Sequence, residues 1–474
     1  MTHLWLTESA VAAMGGRLIG APPEQFSGIS IDSRTLQSGD AFFAITGERT
    51  DGHKYLTKAF GAGAALAVVE QSRLPGLGHL SKPVIVVDNV LTALEELGKA
   101  SRHRMHGAVI GVTGSVGKTS TKEMLRLMLA ESGETHASVA SYNNHWGVPL
   151  TLARMPASAA FGVFEIGMNH AGEITPLTQM VSPQVAMITT VAPVHLEFFE
   201  NEEAIADAKA EIFTGVTPGG AVVLNRDNRH YDRLKAKAEA AGIDRIFGFG
   251  ESDGADAQLL TCKMGSAGSN ISCRIRDKEL DFVLSMVGKH QALNAVGALL
   301  AADLLGADVE SAAQALLRMT APAGRGARHK LQIADGAFTV VDESYNANPA
   351  SMRSAIQVLG DTSMTAAGRR LAILGDMLEL GDEAAQLHAA LASPLTDADI
   401  DMVFCAGPLM RNLFDALPPV MRGAHTESSA ELAAAVLSTV RAGDVVMVKG
   451  SLGSKMAVLI DALKANFPPV KSVA

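Results

Sequence analysis

The residues best suited to chemistry lie in one stretch, Gly111-Val112-Thr113-Gly114-Ser115-Val116-Gly117-Lys118-Thr119-Ser120. An apolar run from Ala108 leads into it and an amphipathic pattern from about Thr119 to Leu129 follows, so a buried strand, a turn and a helix are expected. Gly114 and Gly117 open backbone conformations closed to side chains, which lets N–H groups from Gly114 through Ser120 face one anion. Lys118 adds a mobile cation, the helix start adds its positive dipole end, and Thr119 is left to hold a magnesium ion. The pattern G-x-x-G-x-x-G-K-T departs from the usual phosphate loop, because Val112 stands where the first glycine is expected. A lone glycine pattern is more often an ordinary turn. Strand, Gly-Lys-Thr-Ser and helix together favour nucleotide binding.

A second group of chemical residues follows. Glu165 ends the apolar run Phe161-Gly162-Val163-Phe164, and a carboxylate so close to a core strand needs a partner, for which a magnesium ion shared with Thr119 is the natural choice. The alternative is a glutamate that caps a helix. His195 follows the apolar strand Val185 to Val191; alone it reads more readily as a hydrogen-bonded structural histidine than as a ligand. Lys209 and Glu211 lie in a helical stretch from Glu202 to Thr214, whose plainer reading is a solvated face. Polar turns at Asp32-Ser33-Arg34-Thr35 and Gly47-Glu48-Arg49-Thr50 place cations and small hydrogen-bonding groups at strand ends, where ligands usually sit in α/β folds.

The elements that must position these groups are set by 474 residues, a length that suggests roughly three domains. Hydrophobic content of 47% and charged content of 19% describe a soluble globular chain. A net charge of −10 argues against a nucleic-acid partner. Cys262, Cys273 and Cys405 form no close-spaced motif and cannot all pair, so a reduced, cytoplasmic setting is expected. The start of the chain lacks a secretory pattern, and no stretch is long and apolar enough for a membrane span. Strands are expected at Gly28 to Asp32, Ala41 to Ile45, Ala64 to Val69 and Pro83 to Val87, then a helix from Leu91 to His103. Three short alternating segments, near Gln258 to Lys263, Asn270 to Arg276 and Leu280 to Val287, predict antiparallel strands before a helix from His290 to Leu305. Beyond His329, strands at Phe338 to Val341, Leu371 to Leu374, Met402 to Ala406 and Val445 to Val448 alternate with helices, the repeat of a doubly wound parallel sheet. Without a Gly-x-Gly-x-x-Gly turn, no dinucleotide is expected there. The boundaries fall at 1–106, 107–321 and 322–474.

The loop, Asn143-Asn144-His145-Trp146-Gly147, Glu165-Ile166-Gly167-Met168-Asn169-His170, His195-Leu196-Glu197 and Asp207-Ala208-Lys209-Ala210-Glu211 occur in an order that resembles the Mur ligases. The likeness continues through Gly288-Lys289-His290-Gln291-Ala292-Leu293-Asn294, Pro322-Ala323-Gly324-Arg325, Asp342-Glu343-Ser344-Tyr345-Asn346-Ala347-Asn348-Pro349 and Gly375-Asp376-Met377-Leu378-Glu379-Leu380-Gly381. These are ATP-dependent enzymes of peptidoglycan synthesis that activate a carboxylate as an acyl phosphate and join an amine to it. The resemblance implies a small α/β uridine-nucleotide domain, a central P-loop domain with a mostly parallel sheet and added antiparallel strands, and a Rossmann-like last domain. It implies ATP and Mg2+ as cofactors, and UDP-N-acetylmuramoyl-tripeptide and D-alanyl-D-alanine as small-molecule substrates of a cytoplasmic monomer. Lys118, His195 and Lys209 take catalytic positions. Thr119, Glu165, His195 and a carbamylated Lys209 match metal-holding positions, the carbamate turning a repelling cation into an oxygen ligand. Asn294 matches an adenine-facing residue and Arg325 one that reaches the phosphates. Ser33, Arg34, Glu48 and Arg49 match the uridine-nucleotide module; Asn143, Asn144, Asp342, Glu343, Asn346 and Asn348 match substrate positions. After Lys449-Gly450-Ser451 the family carries Arg and then Met-Glu, where this chain has Leu452 and Met456-Ala457. Folylpolyglutamate synthesis, or a nucleotide switch that forms no bond, are the competing expectations.

Overall fold

The computed structural model describes residues 3–47, 50–77, 82–194, 196–265, 268–362, 364 and 367–470. Three separate sheets organise them, of five, nine and six strands, beside a two-stranded ribbon of Trp5–Leu6 and Gln25–Phe26. In the first module Gly28–Ser30, Asp40–Phe43, Leu66–Glu70 and Val84–Val87 run parallel as neighbours, and Arg17–Ile19 closes one edge antiparallel. The helix Val90–Arg104 packs beneath and leads to the second sheet.

That central sheet runs, from one edge, Thr135–Ala137, Phe161–Glu165, Ala108–Thr113, Val185–Ile188, Ala221–Asn225, Arg245–Gly250 and Ala257–Met264, all parallel. Ser269–Ile275 and Lys278–Leu284 extend it antiparallel. The strands at its middle are buried on both faces, which is why Val109, Ile110, Val163, Met187 and Val223 form apolar runs without alternation. One face packs against helices Lys118–Ala130 and Lys289–Leu304, the other against Ile174–Val181, Glu202–Ala210 and Tyr231–Ala240. Lys289–Leu304 is apolar on nearly every side because it packs against the sheet and is flanked by helices Lys118–Ala130 and Val309–Ala315. The approach is close. A Cβ on its Gly297 would sit 2.7 Å from Met187 Cε and 2.9 Å from Phe249 Cγ. In the outer strands Ser269, Ile271, Cys273 and Ile275 alternate inward, the period-two signal that made them legible.

The last sheet orders Ala327–Ile333, Gly336–Glu343, Val445–Lys449, Arg370–Gly375, Met402–Ala406 and Arg422–Thr426, parallel except for its first strand. Helices Pro349–Gly360 and Met410–Ala416 cover one face, Ser429–Thr439 and Ala457–Asn466 the other. Connections reverse direction between Val445–Lys449 and Arg370–Gly375, which opens a crevice at their carboxyl ends.

One expectation needed adjustment. The helix from Glu202 stops at Ala210 and tightens into a 3-10 turn, Glu211–Gly215, whose glycine leaves no room for a Cβ, 2.3 Å from Thr178 O. The edge strand Thr135–Ala137 is too short and polar to show a period, and its existence depends on pairing with Phe161–Glu165.

Side chains lock the modules together. Arg102 donates to the carbonyls of Val181 (2.8 Å) and Ser182 (3.0 Å), ending one central helix, and Arg104, stacked on Trp5, donates to Met155 O at 3.1 Å. Across the other junction, Glu197 N–H donates to Glu379 O at 3.3 Å and Arg325 reaches Ser141 at 3.3 Å.

Candidate active site

The strand Ala108–Thr113 ends in the phosphate loop, and both loop glycines are there for steric reasons. Gly114 has φ +148°, and a Cβ would fall 2.0 Å from Thr189 Oγ1; Gly117 has φ +90°, with Asn294 Nδ2 at 2.5 Å. Thr189 donates to the carbonyl of Val116 at 2.6 Å, and Ser115 exchanges hydrogen bonds with Ala192 at 2.9 and 3.0 Å. The loop is therefore bolted to the residues that follow Val185–Ile188. Ser115 N–H donates to Thr190 O at 2.8 Å, which removes it from the set of amides free to face a phosphate. Asn294, 8% exposed, sits with its amide directly against Gly117 of the loop.

Beyond the loop, Lys118 folds its ammonium back onto Gly114 O at 2.6 Å. Burial holds its pKa below the usual lysine range, Glu165 acting against that and Arg325 with it, and an incoming phosphate would favour the charged form. Thr119 Oγ1 donates to Glu165 Oε2 at 2.9 Å, and Asn143 Nδ2 donates to Glu165 Oε1 at 2.7 Å. Glu165 is 1% exposed, and both hydrogen bonds come from neutral groups. A buried carboxylate bonded to a hydroxyl and an amide is a hard oxygen donor set of the kind magnesium takes. Among the described residues no cluster of three or more His, Cys, Asp or Glu could hold a metal, so such an ion would depend on Thr119 and Glu165 together with other donors. Lys209 is 2% exposed and has no hydrogen-bond or ion-pair partner among the described residues. Burial, with Lys118 adding repulsion, drives its pKa well below the usual lysine range. His195, Glu48 and Arg49 lie outside the described residues.

The last module supplies the opposite wall. Arg325 stacks 4.3 Å over the ring of Tyr345 while reaching Ser141, so stacking aims its guanidinium across the junction. Glu343 faces Lys449 Nζ at 3.3 Å, and that ammonium, 3% exposed, also donates to Asn346 O at 3.0 Å. Asn348 caps helix Pro349–Gly360 by accepting from Ser351 N–H at 2.9 Å, and Asn144 does the same for the helix after it through Gly147 N–H at 3.0 Å.

These groups border one cavity of about 930 Å3. Ser115 through Ser120, Asn143, Asn144, Glu165, Arg325, Glu343, Asn346 and Asn348 line it. Asp342 is not in this lining; its carboxylate accepts from Ser344 N–H and Ser344 Oγ in its own turn and from Gly324 N–H across from it. Ser33 and Arg34 are likewise absent from the lining. Arg34 is exposed and pairs with Asp32 at 2.6 Å on the first module. Sequence reasoning missed Ser141, His290, Arg328 and Lys449, all of which line the cavity. Lys449 carried a signal, a charged residue closing the apolar run Val445 to Val448; the other three depend on the packing of modules.

A phosphate loop opening a parallel sheet, with a buried carboxylate beside it and a second module's cations opposite, defines a nucleotide site shared between domains. The chain belongs to the Mur ligase family: residues 25–102 match the Mur ligase family catalytic domain, 112–302 the Mur ligase middle domain and 328–452 the Mur ligase glutamate ligase domain. It is similar to the UDP-N-acetylmuramoyl-tripeptide–D-alanyl-D-alanine ligase of Rickettsia prowazekii, 32% identical over 91% of this chain and 94% of that one. The enzyme of the same name from Bacillus subtilis is 33% identical over 92% and 93%. The crystal structure of MurF from Acinetobacter baumannii superimposes with a TM-score of 0.82 at 27% identity, covering 97% of this chain and 99% of that one.

Proposed function

We propose that the protein joins D-alanyl-D-alanine to UDP-N-acetylmuramoyl-tripeptide at the expense of ATP, in the cytoplasm and as a monomer. The observation that carries this reading is the single cavity bordered by Lys118, Thr119 and Glu165 on one module and Arg325, Glu343 and Lys449 on the next. Near full-length likeness to relatives bearing that activity in their names supports it.

Lys118 and the free loop amides hold the transferring phosphate, and Arg325 offsets charge from the opposite wall. Magnesium, when bound by Thr119 and Glu165, neutralises phosphate oxygens. An oxygen of the tripeptide's terminal carboxylate attacks the γ-phosphorus, the bond to ADP breaks, and an acyl phosphate forms. The dipeptide amine then attacks the acyl carbon, loses a proton, and orthophosphate leaves as the amide forms. Enclosure between modules serves this sequence by keeping water from the acyl phosphate. Polar groups unsuited to donating protons, such as Asn143, Asn346 and Asn348, line the walls.

The test is product analysis by mass spectrometry. Incubation with Mg–ATP and both substrates is expected to yield UDP-N-acetylmuramoyl-pentapeptide with one ADP per amide. ATP hydrolysis at the same rate without either substrate would overturn the reading in favour of a nucleotide switch.

A further inference from the structure

Lys122 lies one turn beyond Lys118 on helix Lys118–Ala130, on its inward face, and is 0% exposed. An ammonium in such a place is destabilising unless its donors are all engaged. Here they are, by Glu123 Oε1 at 2.5 Å, Ser138 O at 2.7 Å and Ala140 O at 2.9 Å. The two carbonyls belong to the loop that joins strand Thr135–Ala137 to helix Gly147–Ala153. Val139 is 59% exposed, Ala140 is exposed, and Ala140 takes a left-handed φ of +49°, which a non-glycine residue adopts only under constraint. Convergence of both carbonyls on one buried ammonium provides that constraint.

What the loop then carries is the hardware of the site. Ser141 Oγ lies 3.2 Å from Thr119 Oγ1 and accepts from Arg325 Nη2 at 3.3 Å. Two residues on, Asn143 holds Glu165, and its carbonyl accepts from Gly167 N–H at 2.8 Å. One hydroxyl thus touches the threonine of the phosphate loop and the arginine of the last module together.

We propose that Lys122 is a positioning residue whose ammonium fixes the loop 138–144, so that Ser141 couples the docking of Arg325 to the hydroxyl of Thr119. Lys122 itself touches neither substrate nor reacting atoms. Its effect reaches the nucleotide only through Ser141 and Asn143. The kinetic arm of the test rests on the ligase reading; the binding arm does not.

The experiment compares Ser141→Ala, Lys122→Met and Lys122→Arg in the full chain by ADP calorimetry with and without Mg2+, by steady-state kinetics and by melting temperature. Ser141→Ala is expected to melt with the wild type and keep its KM for ATP within about threefold. Its kcat falls about tenfold or more, and the gain in ADP affinity conferred by Mg2+ shrinks by about fivefold, as expected for lost orientation. Lys122→Met repeats that split with a lowered melting temperature, and Lys122→Arg restores most of kcat. Should Lys122→Met not fold, the other two variants decide. Wild-type kcat and an unchanged Mg2+ effect in Ser141→Ala would overturn the proposal, as would a Lys122→Met that loses thermal stability alone. A chain that forms no amide yet shows the weakened Mg2+ effect supports the positioning role while overturning the ligase reading.

Discussion

Lys209 is the residue whose surroundings make the sharpest demand. Burial without a partner among the described residues disfavours its cation, and the carbamate that the resemblance implies would exchange that cation for an anionic oxygen ligand. Lys209→Ala is therefore expected to lose most turnover and to regain part of it with added short carboxylates, read by phosphate release. Unchanged turnover would remove the lysine from the mechanism. Adjacent carboxylates in the last module make a second contrast. Asp342 accepts three hydrogen bonds, from Gly324 N–H and from Ser344 N–H and Oγ, so Asp342→Ala should destabilise the protein by about 2 kcal/mol in denaturant titration. Glu343 faces the cavity and Lys449, so Glu343→Gln should raise the KM for ATP with stability little changed. The reverse pattern would contradict the assignment. Nothing in the sequence separates these neighbours; which one turns inward depends on the register of Gly336–Glu343 against Val445–Lys449.

Among elements, the phosphate loop was legible because its constraints are local. Strand, glycines and helix start fall within 13 residues, Ala108 to Ser120, and each leaves its own mark. Glu165 was legible for the same reason, as a charge closing an apolar strand. The loop 138–144 was not, since its shape depends on Lys122 from a different element, and the only trace was a lysine on the inward face of an amphipathic helix. Gly114→Ala should destabilise by about 2 kcal/mol or more, because φ +148° and the contact with Thr189 both exclude a side chain. Gly61→Ala, with open space around it at the end of a helix, should be neutral or slightly stabilising under the same titration. Equal losses at the two sites would refute the steric account. The loop of the last module that meets Glu197 brings a pH dependence. His388, 0% exposed, accepts from Met377 N–H at 2.9 Å and donates to Ala384 O at 2.6 Å, and burial holds its pKa below the ordinary 6.5. Below pH 6.5 the unfolded chain binds a proton that the folded one refuses, so this contribution to stability is lost as pH falls toward the depressed folded value. Melting temperatures of the wild type should drop across that window, and His388→Gln should flatten the profile. Parallel profiles would exclude the histidine.

For the whole molecule, the central and last modules meet at one cavity, and the expected assignment of modules to tasks followed from the order of motifs along the chain. How the modules face each other did not. Arg325 reaching Ser141 and Glu197 meeting Glu379 join residues 184 and 182 positions apart, and no local pattern records such pairs. The central claim is that this cavity passes one carboxylate oxygen through an acyl phosphate. Tripeptide substrate carrying 18O in its terminal carboxylate tests that most directly, by mass spectrometry of the orthophosphate released with Mg–ATP and D-alanyl-D-alanine present. The account predicts one substrate-derived oxygen in each phosphate formed per amide. Phosphate free of the label, with amide still produced, would contradict it.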